Sequence, residues 1–146
     1  MSCEKKIYLG SDHGGFELKE IIRNYLEDND YNVEDLGCYS NESVDYPEFG
    51  RKVAYAVVNN NAKGIIICGT GIGISMAANK VKGARAGLCH CVDYAKLTRQ
   101  HNDANILAMG GRFVEPELAK KITDAFLNTE FEGGRHQRRV DDIDNV

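Results

Sequence analysis

Residues 64–81 read G-I-I-I-C-G-T-G-I-G-I-S-M-A-A-N-K-V, and this stretch combines a strand pattern with a helix pattern. The three isoleucines at 65–67 are β-branched and do not alternate with polar residues, which is typical of a strand buried on both faces of a parallel sheet. After Cys68, glycine occupies every second position up to Gly73, and glycine permits a tight turn and close approach to a ligand. The stretch therefore predicts a strand, a glycine loop and a helix that begins at about Ile74.

The N-terminus of that helix is a candidate anion site. The first amides of a helix have no partner within it, and the macrodipole adds about half a positive charge at the same place. Cys68 would lie at the edge of this site, where the positive field favours a thiolate. Two alternatives remain open: a tight turn that binds nothing, and a cysteine that is only a small buried side chain.

The same alternation of strand and helix recurs along the chain. Further strands are predicted at residues 6–10, 32–36, 84–92 and 105–109. Helical spacing predicts three buried apolar faces: Leu18, Ile21, Ile22, Tyr25 and Leu26; Phe49, Val53, Val57 and Val58; and Leu118, Ile122, Ala125 and Phe126. Five alternations predict an α/β fold with one doubly wound parallel sheet. We expect a single domain, 1–146, with a charged tail from about residue 134.

Local signals refine these boundaries. Pro47 suits the first turn of a helix, and Asp93 is a candidate cap for a helix that ends near His101. Cys89 and Cys91 are two positions apart, so they would share one face of the fourth strand, and we expect both in the core.

Composition excludes several classes of protein. The formal net charge is −4, and the sequence has no basic stripe, which argues against nonspecific nucleic-acid binding. No apolar run approaches the length of a membrane span, and the first residues do not resemble a secretory signal, so we expect a cytoplasmic protein without a membrane partner. The five cysteines are scattered and odd in number, which indicates reduced thiols and no zinc set.

Three polar segments are expected at the carboxyl ends of the strands, where ligands bind in doubly wound sheets. They are Ser-Asp-His at 11–13, the loop at 68–73, and Gly-Gly-Arg at 110–112. A thiol, a carboxylate and an imidazole around an amide-lined pocket could perform proton transfer or covalent attack. The alternatives are that Asp12 caps the following helix and that His13 is a solvated side chain.

The tail carries a second anion-binding pattern. On a helix, Arg135 and Arg139 would lie on one face at i, i+4, and two guanidinium groups suit a phosphate. Arg112, at the end of a strand, supports the same interpretation. The alternative is a solvated charge cluster balanced by the aspartates of 141–144.

A nucleotide-binding module is the competing hypothesis from another class. The pattern G-x-G-x-x-G fails, because Ile74 or Met76 occupies the third glycine position. Asp93 is the candidate ribose carboxylate and is better explained as a helix cap. No Gly-Lys-Ser/Thr follows either loop, which excludes a P-loop.

Four motifs, in order, resemble the ribose-5-phosphate isomerase B family, which includes galactose-6-phosphate and allose-6-phosphate isomerases. They are G-S-D-H-G-G-F at 10–16, I-I-I-C-G-T-G-I-G-I-S-M-A-A-N-K at 65–80, R-Q-H-N-D-A-N-I-L-A-M-G-G-R at 99–112, and G-R-H-Q-R-R at 134–139. The resemblance covers nearly the whole chain. It implies a Rossmann-like three-layer α/β/α fold, no metal and no cofactor.

The resemblance also assigns roles to residues. It implies that Cys68 is the base that removes the C2 proton, that His101 is the acid that helps to open the furanose ring, and that Thr70 assists at the sugar oxygens. It further implies that backbone amides bind the enediolate, namely those of Gly69, Thr70, Gly71, Ile72 and Gly73. The sugar would be bound by Ser11, Asp12 and Asn102, and the phosphate by His13, Arg112, Arg135 and Arg139. Tyr46 would line the pocket. One branch of the family uses a glutamate in the glycine loop, but that position is Ile74 here.

The implied activity is interconversion of D-ribose 5-phosphate and D-ribulose 5-phosphate through an enediolate, as in the pentose phosphate pathway. A six-carbon sugar phosphate is the first alternative, and a non-catalytic nucleotide- or phosphate-binding module is the second. The sequence leaves open whether Cys68 acts as a base or as a nucleophile.

Topology predicts how the chains assemble. The helix near Asp93 starts at the carboxyl edge of the sheet and must return to the opposite edge, so His101 and Asn102 lie at its far end. A five-residue strand spans about 16 Å, so His101 should not reach Cys68 of its own chain. If both serve one site, the site is shared within a homodimer. The family resemblance also suggests a dimer, and a tetramer is the larger alternative.

Overall fold

The computed structural model describes residues 6–146, which form a parallel sheet with helices on both faces. The strands are β1 (Lys6–Ser11), β2 (Asn32–Asp35), β3 (Lys63–Cys68), β4 (Ala86–Leu88) and β5 (Ile106–Gly110). The helices are α1 (Phe16–Asp28), α2 (Tyr46–Asn60), α3 (Ile72–Asn79), α4 (Val92–Asn102), α5 (Pro116–Asn128) and α6 (Arg135–Ile143). The predicted α/β fold with a five-stranded parallel sheet is confirmed.

The central strand β3 is buried on both faces, as its sequence predicts. Ile65 and Ile67 pack into one core cluster with residues of α1, α4 and α5, and Ile66 and Cys68 pack into the other with residues of α2 and α3. Each isoleucine of β3 is at most 1% exposed, and burying a side chain of this size contributes about 1.5–3 kcal/mol. The helices therefore form two layers, with the sheet between them.

The strand order β2-β1-β3-β5-β4 positions the glycine loop. The chain runs from β1 outward to β2 and returns to the other side of β1 as β3, so the direction of winding switches between β1 and β3. Register pairs Ser11 with Ile67 and Cys68 with Gly110. The carboxyl ends of β1, β3 and β5 therefore lie side by side.

The fourth strand is shorter than the sequence predicts, with three residues instead of the expected 84–92. The Asn79 side chain donates to the Ala86 carbonyl at 3.1 Å and accepts from the Ala86 amide at 2.7 Å, so it pairs with the backbone of this strand. Beyond Leu88 the chain turns into α4, and Cys91 is the N-cap. The expectation that Cys91 is a core residue is wrong, because it is exposed, whereas Cys89 is buried. Asp93 is not the cap and lies in the first turn.

Several other predictions are corrected by packing. The helix α3 begins at Ile72, two residues before the expected start, because the turn is completed at Gly71. Leu118 is 37% exposed, since the buried stripe of α5 runs through Ala119, Ile122, Thr123 and Phe126. Val58 is 36% exposed for the same reason, because the adjacent Val57 takes the buried position in α2.

The described cysteines, Cys38, Cys68, Cys89 and Cys91, are all free thiols, in agreement with the sequence, while Cys3 lies outside the described residues. No helix within residues 6–146 is both long enough and apolar enough to cross a membrane. The charged tail forms α6, with Arg135 and Arg139 exposed at i, i+4 as predicted.

Candidate active site

The thiol of Cys68 lies at the carboxyl end of β3, directly before the first turn of α3. The residue is only 4% exposed, and its Sγ accepts a hydrogen bond from the Gly71 amide at 3.2 Å. The sulfur is therefore held against the backbone amide of the helix N-cap residue, at the amide-rich start of α3.

Gly71 can hold this amide in place because it has no side chain. Its φ is +80°, and a Cβ there would lie 2.7 Å from the carbonyl carbon of Met109. The backbone of the loop is therefore pressed against the end of β5. Gly110 pairs with Cys68 in the sheet, and the Gly111 amide donates to the Cys68 carbonyl at 2.8 Å, which joins the two strand ends.

The start of α3 offers donors to an anion. The Ile72 amide donates to Thr70 Oγ1 at 3.1 Å, and the Gly71 amide serves Cys68. The amides of Gly73 and Ile74 belong to the same first turn, where helical amides have no partner inside the helix. Thr70 is exposed, and its hydroxyl hydrogen remains available to a ligand, because the oxygen is the acceptor in its bond to Ile72.

The end of β1 contributes a carboxylate and an imidazole. Asp12 is 7% exposed, and its Oδ1 accepts from the Gly15 amide at 3.1 Å, so Asp12 caps the short 3-10 turn His13–Gly15 that leads into α1. The Val44 amide donates to Nδ1 of His13 at 3.1 Å. A neutral imidazole that accepts at Nδ1 carries its proton on Nε2, so His13 offers an N–H donor at its other end.

Ser11, by contrast, has no exposed surface. Its Oγ lies 3.9 Å from Sγ of Cys38, inside the loop that follows β2. The structure thus places Ser11 at the expected edge of the sheet but directs it into the protein, so its role as a sugar ligand stays a prediction.

Arg112 and Tyr46 border the glycine loop. A Cβ at Gly69 would lie 2.8 Å from Nη1 of Arg112, and a Cβ at Gly73 would lie 2.5 Å from Cζ of Tyr46. Both side chains are exposed, Tyr46 by 39%. The loop is therefore flanked by a guanidinium group on one side and a phenol on the other.

The remaining predicted residues lie at the opposite edge of the sheet. His101 and Asn102 end α4, four residues before β5 begins, and Arg135 and Arg139 are on α6. The α6 helix is attached at this edge, because Asp144 pairs with Nη1 of Arg85 at 2.7 Å, just before β4. One chain thus carries two separate groups of predicted site residues. The carboxyl-edge group contains Ser11, Asp12, His13, Tyr46, Cys68, Gly69, Thr70, Gly71, Ile72, Gly73 and Arg112, and the amino-edge group contains His101, Asn102, Arg135 and Arg139.

A groove of about 1170 Å³ lies at the amino edge and includes Lys6, Arg85 and Asn105, but neither Cys68 nor the glycine loop. Its size alone does not identify it as the active site, because no cysteine is among the residues that line it. Cys89 fits the role of a reactive thiol less well than Cys68, since burial raises the pKa of Cys89 to about 12. The carboxyl-edge group therefore remains the candidate active site.

Comparison with known proteins identifies the family. A model of the family described as Ribose/Galactose Isomerase matches residues 7–143. Ribose-5-phosphate isomerase B of Escherichia coli (strain K12) is 51% identical over 140 residues, which cover 95% of this chain and 94% of that protein. The chain belongs to the ribose/galactose isomerase family.

Solved structures in this family have the same fold. A ribose 5-phosphate isomerase from Thermotoga maritima matches with a TM-score of 0.95 and 52% identity, over 97% of this chain and 99% of that chain. Ribose-5-phosphate isomerase B from Mycoplasma genitalium, with bound ribulose-5-phosphate, matches with a TM-score of 0.93 and 48% identity, over 99% of this chain and 95% of that chain. The resemblance and the three-layer fold inferred from the motifs are confirmed.

Sequence reasoning missed two features of this ribose/galactose isomerase family member. It gave no part to Val44, whose amide orients His13 from 31 positions away, and no sequence pattern indicates that contact. The motif G-R-H-Q-R-R indicates no role for His136, although the ring of His136 stacks on that of His101. The i, i+4 spacing of Glu132 and His136 was the available signal.

Proposed function

We propose that this chain is an aldose–ketose isomerase that interconverts D-ribose 5-phosphate and D-ribulose 5-phosphate through an enediolate. The observation that carries the proposal is the hydrogen bond from the Gly71 amide to Cys68 Sγ at the start of α3. This hydrogen bond brings the sulfur beside a set of donors that can stabilise negative charge, which supports Cys68 as the base. The relatives named ribose-5-phosphate isomerase B, and the ribulose-5-phosphate bound in one of them, support the choice of a pentose substrate.

The reaction needs one base and one site for developing charge. The Cys68 thiolate takes the proton from C2 of the open-chain aldose, and the electron pair of that C–H bond forms the C1–C2 double bond while the carbonyl pair moves onto O1. The amides of Gly73 and Ile74 and the Thr70 hydroxyl stabilise the resulting oxyanion, and donors of this kind typically contribute several kcal/mol. The proton then returns to C1, the O2 hydroxyl passes its own proton to O1, and O2 becomes the carbonyl oxygen of the ketose. No covalent bond to sulfur is needed.

Phosphate binding is divided between the two groups of residues. Arg112 stands beside the glycine loop, and the Nε2–H of His13 is free to donate because Val44 occupies Nδ1. Arg135 and Arg139 present two further guanidinium groups on one face of α6. Guanidinium groups bind phosphate oxygens through paired, charge-assisted hydrogen bonds.

The separation of the two groups supports a homodimer with shared sites. In one chain the carboxyl-edge and amino-edge groups are at opposite ends of the strands, so the amino-edge group of a second copy would complete the site. Exposed apolar side chains on α3, on α4 and after β5 would suit such an interface. They are Ile72 and Met76 on α3, Tyr94 and Leu97 on α4, and Phe113 after β5.

Deuterium exchange tests the proposed function. In heavy water, the enzyme should incorporate deuterium at C2 of ribose 5-phosphate, and at a much lower rate at C2 of allose 6-phosphate and galactose 6-phosphate. Faster exchange with a six-carbon substrate would reassign the substrate within the family. Absence of exchange with all three sugar phosphates, together with tight nucleotide binding, would replace the proposal with a nucleotide-binding module.

A further inference from the structure

The imidazole rings of His101 and His136 are stacked, with centroids 4.4 Å apart and 15° between the planes. His101 is in the last turn of α4, and His136 is in the first turn of α6. Within residues 6–146 the His101 side chain makes no hydrogen bond, and the ring of His136 packs directly against it. An unrestrained ring at a helix end would rotate about two side-chain bonds.

His136 is itself held in place. It is 8% exposed, and its Nε2 lies 3.5 Å from Oε1 of Glu132. The Glu132 amide donates to the Gln100 carbonyl at 3.1 Å, directly beside His101. The segment before α6 is thus attached to the last turn of α4 by its backbone as well as by the stacked rings.

The same three side chains could suggest a metal centre, because their ligand atoms lie within 4.8 Å of one another. However, an imidazole nitrogen binds a metal ion along its lone pair, in the plane of the ring. Two rings that lie face to face at 15° direct their lone pairs side by side and not toward one ion. The arrangement therefore fits mutual support of two rings better than coordination.

We propose that His136 is a positioning residue, which holds the His101 ring at the angle needed to protonate the ring oxygen of a furanose, and that Glu132 holds His136. The inference rests on the proposed isomerase function, with His101 delivered to the site of a second copy. A general acid works only within hydrogen-bond reach of its target, so freedom of the His101 ring would reduce the fraction of productive encounters. A stacked partner removes that freedom without blocking either ring nitrogen.

Proton exchange on the ketose separates this role from a structural one. Ribose 5-phosphate closes a ring through its 4-hydroxyl and must be opened before proton transfer. Ribulose 5-phosphate stays open, because its 5-hydroxyl is esterified, so exchange of its C1 proton with solvent through the enediolate needs no ring step. Loss of the acid should therefore slow net isomerisation but not this exchange, while damage to α6 and its arginines should slow both.

Net isomerisation of ribose 5-phosphate, and deuterium exchange at C1 of ribulose 5-phosphate in heavy water, should be measured for His136→Ala, His136→Phe and Glu132→Ala, with Gln137→Ala as the control in the same helix. We expect His136→Ala to lower kcat/KM for ribose 5-phosphate about tenfold and to change the rate of C1 exchange less than about twofold. His136→Phe keeps a flat ring and should restore most of the loss, Glu132→Ala should act in the same direction more weakly, and Gln137→Ala should have little effect. Parallel losses in isomerisation and in exchange would overturn the proposal.

Proton NMR gives a readout that is independent of activity. The chain has four histidines, so the imidazole signals can be assigned by substitution. The His101 signals should move when His136 becomes alanine, because the ring current of the stacked partner disappears, and should remain shifted in His136→Phe. Unchanged His101 signals in His136→Ala would overturn the stack itself. An unmodified chain that exchanges no sugar-phosphate proton would instead overturn the isomerase function, and the positioning role would fall with it.

Discussion

The Gly71 amide donates a hydrogen bond to Sγ of Cys68 at 3.2 Å, across the turn that joins β3 to α3. Because the donor is the N-cap residue of α3, the sulfur lies where the helix dipole and the unpaired amides act together. The proposed isomerase would therefore perform proton abstraction and charge stabilisation in adjacent parts of one loop.

Replacement of Cys68 tests the base. Cys68→Ser should lower kcat by about 10³-fold, because a hydroxyl is a far poorer base than a thiol beside the same amide. Deuterium exchange at C2 should fall in parallel. The matched control is Cys91→Ser, which changes an exposed cysteine at the start of α4 and should leave turnover unchanged. Near-normal turnover of Cys68→Ser would require another base.

Mixing of inactive chains tests the shared site. Cys68→Ala and His101→Ala chains, mixed in equal amounts and allowed to exchange subunits, should recover activity at about a quarter of all sites. Each hybrid dimer then has one site with both defects and one with neither. If His101 acted within its own chain, every hybrid site would keep one defect, so a mixture that stays inactive after proven exchange would contradict the dimer model.

The α6 arginines should affect binding more than turnover. Arg139→Ala removes a charge-assisted contact to the phosphate, so KM should rise about 10–100-fold with a smaller change in kcat. Arg138→Ala is the control, because it removes an equally exposed arginine from the adjacent position of the same helix. Equal effects of the two substitutions would indicate a general charge effect instead of a specific contact.

Gly71→Ala should destabilise the fold and the site together. The residue has φ +80° and lies against the Met109 carbonyl, so a methyl group adds a steric clash to the backbone strain, and urea unfolding should show a loss of about 2–4 kcal/mol. Gly133→Ala isolates the strain, because Gly133 has φ +70° with nothing within 4 Å of an added Cβ, and it should cost about 1 kcal/mol. Similar losses for the two variants would contradict close contact at Gly71.

Tyr25 should make stability depend on pH in alkaline solution. Its hydroxyl donates to Asp124 at 2.6 Å and joins α1 to α5, and this bond is the main reason that the pKa of Tyr25 is raised to about 12. A tyrosine in the unfolded chain titrates at about pH 10. The stabilisation by the Tyr25–Asp124 hydrogen bond is therefore complete below that pH and is lost between about pH 10 and 12. Urea midpoints of the unmodified chain and Tyr25→Phe should converge over this range. A constant difference would contradict the assignment.

The sequence by itself determined the elements whose signals are local. The isoleucines of β3 specify a strand buried on both faces. A β-branched run that does not alternate with polar residues would expose apolar side chains if one face of the strand met solvent. The alternating glycines specify the turn, and the spacing of Arg135 and Arg139 places them on one helical face. Topology also determined that Cys68 and His101 lie at opposite edges of the sheet, since a helix that connects two parallel strands must run back from the carboxyl edge to the amino edge.

Only the tertiary structure decided which side chains meet. Leu118 and Val58 fit a helical period but are exposed, because adjacent residues face the core more directly. The bond from Val44 to His13 and the stack of His101 on His136 join segments about thirty positions apart, and such contacts depend on how helices and loops pack against the sheet. Hydrophobic period specifies which face of an element is buried, whereas the orientation of a polar side chain depends on the neighbours that the fold brings to it.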